Sequence, residues 1–183
     1  MKKIIYLILI LTISNSVYSQ KSLIDEKYGF KSIKLDSQKS SFNNLELFQN
    51  LDDGLKAYIY RPYDRDLYKV FDYEYDAIIL YFDKNNSLVM IMITKVFTGN
   101  SFYQDALSYS DKTRETFMRV FGKYDDVDSD DNSGNISVTW YGEKAFYSVG
   151  TIYFGIAKGK AESNVIIGKT AKLSSGFWLK NCS

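Results

Sequence analysis

Apolar and polar positions along this chain fall into short runs with two different periods. After a polar lead from Lys21 to Lys27, Phe30-Lys31-Ser32-Ile33-Lys34-Leu35 reads as a period-two strand with one covered face. Ser40 or Ser41 then caps a predicted short helix through about Asn50, with Phe42, Leu45 and Phe48 three residues apart, and Asp52-Asp53-Gly54 ends it. Leu55 to Tyr60, Leu67 to Phe71 and Ala77 to Phe82 read as strands separated by polar, turn-rich pieces.

The clearest hairpin is Ala77 to Phe82, Asp83-Lys84-Asn85-Asn86-Ser87, then Leu88 to Val96. Asparagine tolerates the positive φ of a tight connection. Both flanking runs are apolar on both faces, as expected of strands in the middle of a sheet covered on each side. The period lengthens over Phe102 to Phe121, where Tyr103, Ala106, Leu107, Ser110, Phe117, Val120 and Phe121 form one stripe of a predicted long helix. Ser108 or Ser110 would cap a shorter version. Glu115 and Arg119 make an i,i+4 pair, and Gly122 is placed to end the helix.

An acidic loop is expected next, followed by a half-buried strand in which Ile136, Val138 and Trp140 alternate with polar residues. Gly142-Glu143-Lys144 turns the chain into Ala145 to Ala157. A second turn at Gly159 to Asn164 leads to Val165 to Thr170, and Phe177-Trp178-Leu179 lies beyond. Hairpin-linked strands without regular helical crossovers argue for an α+β fold: an antiparallel sheet of hairpins and meanders packed with one long and one short helix. Across roughly residues 40 to 170 the second half repeats the first, a helix followed by meandering strands. That layout resembles the helix-plus-antiparallel-sheet modules of the β-lactamase-inhibitor-like group, which includes small periplasmic binding and assembly proteins. An unrepeated single sheet is the other reading. The group has no diagnostic motif here, so the resemblance implies an architecture and carries over no functional residue.

Composition adds location. Lys2 and Lys3, the apolar run Ile4 to Ile13 broken only by Thr12, and the small polar tail Ser14 to Ser19 have the layout of a secretory signal peptide, with the cut expected after Ser19. The apolar run is about half of what a membrane anchor needs, and no cysteine follows it to take a lipid. The next most apolar window, Ala77 to Val96, is interrupted by Asp83 to Ser87, so no membrane-spanning segment is expected after cleavage. The remaining residues 20–183 are expected to form one domain of a secreted or periplasmic protein. Without Lys2 and Lys3 the chain carries 21 basic against 22 acidic residues, which lacks the basic excess of a nucleic-acid binder. Sixteen tyrosines, 12 phenylalanines and a single proline lean further towards sheet. Cys182 is the only cysteine. In an exported protein it either links two copies or stays a free thiol, and so near the last residue the free thiol is expected.

The chain has no histidine, which removes Ser-His-Asp and Cys-His nucleophile systems and histidine zinc sites. A Ser-x-x-Lys tetrad is also missing. Asp125, Asp126, Asp128, Asp130 and Asp131, with Asn132 and Gly134, form the densest set of hard oxygen ligands, and Asp126, Asp128 and Asp130 are the candidate metal ligands. A calcium loop of EF-hand type needs glycine sixth and glutamate twelfth. Counting from Asp126 or from Asp128 meets neither requirement, so a solvated connection is the plainer expectation. Gly155 to Ala161 and Ser163 to Thr170 echo a phosphate loop but lack its paired glycines or its hydroxyl ending. No cofactor is expected.

Tyr58, Tyr60, Arg61, Tyr63, Arg65 and Tyr68 gather two of the four arginines among tyrosines around Pro62. Arginine and tyrosine anchor binding surfaces through stacking and directed hydrogen bonds, so these six are the candidate patch for a protein partner, a glycan or an anion. The plainer alternative is ordinary cross-strand pairing with solvated turn arginines. The expected function is a non-enzymatic exported binding protein of the cell envelope or extracellular space, with a protein as its partner. A narrower form is a periplasmic inhibitor or immunity-type protein. The competing class is a hydrolase of glycans that uses two carboxylates drawn from Asp72, Glu74, Asp76 and Glu143.

Overall fold

The computed structural model describes residues 22–130, 134–155 and 158–171. The signal segment, Asp131, Asn132, Ala157, Phe177-Trp178-Leu179 and Cys182 lie outside the described residues. A short helix α1 over 22–27 leads into the small hairpin β1 (Gly29–Phe30) and β2 (Ile33–Lys34). Then follow β3 (Leu45–Asn50), β4 (Lys56–Tyr60), the small pair β5 (Lys69–Val70) and β6 (Tyr73–Glu74), and the long hairpin β7 (Ala77–Phe82) and β8 (Leu88–Thr98). Helix α2 (Phe102–Phe121) separates these from β9 (Asp126–Asp130), β10 (Asn135–Tyr141), β11 (Ala145–Tyr153) and β12 (Lys160–Lys169).

Eight strands form one antiparallel sheet in the order β3-β4-β7-β8-β12-β11-β10-β9. The fold is α+β, with a long helix and a short one. Each half is a four-stranded meander, and the two join at the central pair β8–β12. Among the described residues no helix is long and apolar enough to cross a membrane.

Four expectations move, one being the turn expected from Gly159 to Asn164, where Lys160–Lys169 is continuous strand. Residues 45–50, expected as helix, are an edge strand paired with β4, and the short helix lies upstream at 22–27. The repeat reading therefore loses the helix that was to precede its first half. The acidic stretch expected as a loop is strand β9, paired with β10 from Asp126–Thr139 to Asp130–Asn135. Leu67 is in a 3-10 turn (Arg65–Tyr68) and only Lys69–Val70 is strand.

One face of the sheet carries the main core. Ile78, Leu80, Ile91, Ile93, Val165 and Ile167 alternate inward and are buried with Ala106, Phe117 and Phe121 of α2. Phe117 lies 5.5 Å from Trp140, and the buried indole Nε1 donates to Gly122 O at 2.9 Å, satisfying a carbonyl at the helix end. Gly122 has φ +79° and donates to Met118 O, the helix stop expected from sequence. Thr113 is buried on this stripe whereas Val120 is exposed. Arg119 reaches Thr116 and the helix ion pair is Arg114–Asp111, in place of the expected Glu115–Arg119. Under α2, Ser110 Oγ sits 2.8 Å from Ser163 Oγ and accepts from Thr151 at 2.8 Å, so the polar groups beneath the helix satisfy one another.

The opposite face is buried around Ala57, Ile79, Tyr81, Met90 and Met92. Towards β9 it turns polar and opens into a groove.

Candidate functional site

Strand pairing places Asp128 of β9 opposite Ser137 of β10, Ser137 opposite Gly150 of β11, and Gly150 opposite Asn164 of β12. Residues paired across an antiparallel sheet share a face, so these four form one row across it. The neighbouring row runs Asp126, Thr139, Ser148, Ile166. Together they line a groove of about 290 Å³, whose apolar wall includes Phe146, Ile152 and Ile166.

Asn164 is the unusual group. It is 1% exposed, and among the described residues neither its Oδ1 nor its Nδ2 has a hydrogen-bond partner. Its surroundings explain why. On one side Gly150 offers no side chain, and a Cβ there would lie 2.6 Å from Ile136 O and 2.7 Å from Ser137 Cβ, so glycine is required for β10 to approach. On the other side Thr94 donates its hydroxyl to Glu162 Oε2 at 3.2 Å. Along β12 on the same face, Glu162 is held by Lys160 at 2.7 Å and Ile166 is apolar. A buried amide without partners costs about 1 to 3 kcal/mol by protein mutational measures, and buried polar groups are nearly always bonded.

The groove's outer rim is acidic. Asp126 and Asp128 are exposed on β9, and neither forms an ion pair among the described residues. Tyr141 donates its hydroxyl to Asp126 Oδ2 at 3.3 Å, and burial together with that carboxylate's charge raises the tyrosine's pKa. Aspartate is a poor strand former. Here it occupies a sheet edge, where exposed charge is tolerated and discourages unwanted pairing. Asp126, Asp128 and Asp130 point to one face at strand spacing, and among the described residues no three acidic, histidine or cysteine groups converge to hold a metal ion.

The Tyr/Arg residues do not form one surface. Tyr58 is buried at 7% exposure in the core, with Lys39 Nζ 2.7 Å from its hydroxyl and 4.0 Å above its ring. Tyr60 packs edge-on to Phe42 at 5.6 Å. Arg61 pairs with Glu46 at 3.2 Å in solvent, where such a pair contributes little. Tyr63 is 88% exposed, and Arg65 lies 5.2 Å over Tyr68. Of the six, only Arg61, Tyr63 and Arg65 stand on the exposed loop after β4. Of the carboxylates weighed for catalysis, Glu74 and Asp76 both lie near Tyr109, whose pKa is raised by burial and then by their charges. Asp76 is bound by Lys95 at 2.8 Å and by Val96 N–H, while Glu143 is in the β10–β11 turn, where its N–H donates to Asp25.

Asn164, Gly150, Ser137 and Thr139 were not singled out by sequence. Their linear signal is faint: the sequence reads Asn164 as the end of a turn before Val165-Ile166-Ile167, whereas it lies inside strand β12. No protein-family model, no curated protein and no solved structure matches this chain.

Proposed function

We propose that this chain is an exported, non-enzymatic binding protein whose ligand docks in the groove of β9 to β12. The observation that carries this reading is Asn164: a buried amide that lines the groove and whose two polar atoms have no partner among the described residues. Folding leaves that amide unsatisfied, and a ligand that supplies a donor and an acceptor removes the cost. Export rests on the signal-like residues 1–19. An inhibitor or immunity-type role is a narrower form in which the ligand is a surface segment of another protein.

A glycan hydrolase fits the groove less well. Its acid would need a carboxyl shielded from solvent, and of the lining carboxylates Asp126 and Asp128 are exposed and Asp130 is only half-buried. Stacking platforms for sugar rings are also lacking among the described lining residues, since Phe146 is 1% exposed and Tyr141 is half-buried with its hydroxyl on Asp126. The test is NMR titration of residues 20–183 with short peptides and oligosaccharides, together with assays on chromogenic glycosides. The expected result is movement of the Asn164 side-chain amide and of β9 to β11 signals, without turnover. Glycoside cleavage abolished by Asp128→Asn, or shifts confined to the 61–68 loop, would refute it.

A further inference from the structure

Resting on that reading, we propose that the groove's ligand is a peptide segment bearing an arginine or lysine, its backbone amide held by Asn164 and its charged head by Asp128 and Asp126. The row Asp128, Ser137, Gly150, Asn164 sets the length. Three inter-strand steps of about 4.8 Å separate its ends by roughly 14 Å. That span suits one peptide unit followed by one extended basic side chain.

The middle of the row is low. Gly150 has no side chain and Ser137 a short one, so an aliphatic stem can lie across them between the apolar wall residues Ile152 and Ile166. Lysine and arginine bury such stems while the charged head stays hydrated. The end of the row supplies the counter-charge. Asp128 is exposed, makes no ion pair among the described residues, and has Asp126 beside it on the same face. Arginine meets carboxylates through a planar fork, the stronger of the two basic options.

The other end discriminates between ligand classes. Asn164 presents an acceptor and two donors, and both atoms are unpartnered among the described residues. A peptide unit answers with one N–H and one C=O. A polyamine or a metal cation satisfies Oδ1 alone and leaves Nδ2 unpaired. A neutral sugar hydroxyl answers the amide but leaves the rim carboxylates without a counter-ion.

The experiment titrates residues 20–183 with capped Gly-Arg-Gly, with the same peptide carrying neutral citrulline in place of arginine, and with an N-acetylglucosamine oligomer. Side-chain amide shifts of Asn164 and dissociation constants are the readouts, at low and at physiological salt. The expected result is an arginine peptide bound at least tenfold more tightly than its citrulline twin, with a preference that shrinks as salt rises. Asp128→Asn is expected to erase the preference while leaving citrulline binding unchanged. Asn164→Leu is expected to weaken both peptides alike, with its fold checked by thermal melting. Equal binding of the two peptides, or a preference that survives Asp126→Asn combined with Asp128→Asn, overturns the proposal. Binding of the oligosaccharide alone at Asn164 overturns the peptide assignment and leaves the binding groove standing. If no probe moves Asn164, both fall.

Discussion

Replacing Asn164 by leucine is expected to stabilise the free protein while impairing its binding. Leucine matches the amide closely in size, so the groove floor keeps its shape and loses a donor and an acceptor that nothing among the described residues satisfies. Relief of the unsatisfied amide contributes about 1 to 3 kcal/mol. The change in branching within a packed site takes back up to about 1.5 kcal/mol. The net expectation runs from no change to a gain of about 3 kcal/mol, centred near about 1 to 2 kcal/mol, or several degrees in Tm for a domain of this size at roughly 2 to 4 °C per kcal/mol. Urea unfolding followed by circular dichroism measures it, with a higher midpoint at unchanged slope as the expected signature. Asn164→Ala is the control, since it removes the amide but leaves a void and should gain less or lose stability. A leucine variant that unfolds at a lower urea midpoint than the native chain would refute the reasoning, because the amide must then have been bonded in the free protein. A residue retained against stability is what a binding function predicts.

Two further expectations concern how the N-terminal segment is tied to the sheet. Asp25 of α1 accepts N–H bonds from Glu143, Lys144 and Ala145 at 2.8 to 3.1 Å, so Asp25→Ala should cost about 2 to 3 kcal/mol by leaving turn donors unmet, read as a lower urea midpoint. Asp36 gathers Tyr28 at 2.6 Å, Ser87 at 3.3 Å and Lys169. Burial pushes its pKa up, but the hydrogen bonds from Lys169 and Tyr28 outweigh it and hold the carboxyl below its ordinary 3.8. A depressed carboxyl stabilises fully above its unfolded value and loses that contribution as pH falls through the folded one. Asp36→Asn should therefore flatten the melting profile below about pH 4. Tyr28 is pushed the other way, to about 12, by burial and then by Asp36. Its contribution is complete below its ordinary value of 10.0 and lost as pH rises towards 12. Tyr28→Phe should reduce the loss of Tm across that interval, and an unaltered profile would show the tyrosine does not titrate with unfolding.

The long helix and the β7–β8 hairpin were legible because their periods are unbroken over many residues. Residues 45–50 misled for a local reason. Leu45 and Leu47 do alternate, but the register with β4 shifts between Leu47 and Gln49, so Phe48 sits at a bulge and the apolar spacing mimics a helical turn. β9 was hidden because aspartate argues against strand, and only pairing with β10 makes it one. Of the groove, only its acidic rim at Asp126, Asp128 and Asp130 stood out in the sequence. Asn164, Gly150, Ser137 and Asp128 come from four strands, and their row exists only through cross-strand register.

The β8–β12 seam has a consequence for how the chain finds this fold. Within each half, strands adjacent in the sheet follow one another along the chain, whereas the seam pairs Thr98 with Lys160 and Met90 with Gly168, partners roughly sixty to eighty positions apart. Contacts that distant repay their loop-closure entropy late. Loop-closure entropy therefore favours each meander forming before the junction between them. Because β9 to β12 all lie in the second meander, a chain caught before the seam closes would already hold the row from Asp128 to Asn164 but would lack β8, whose Thr94 faces Asn164 on its other side.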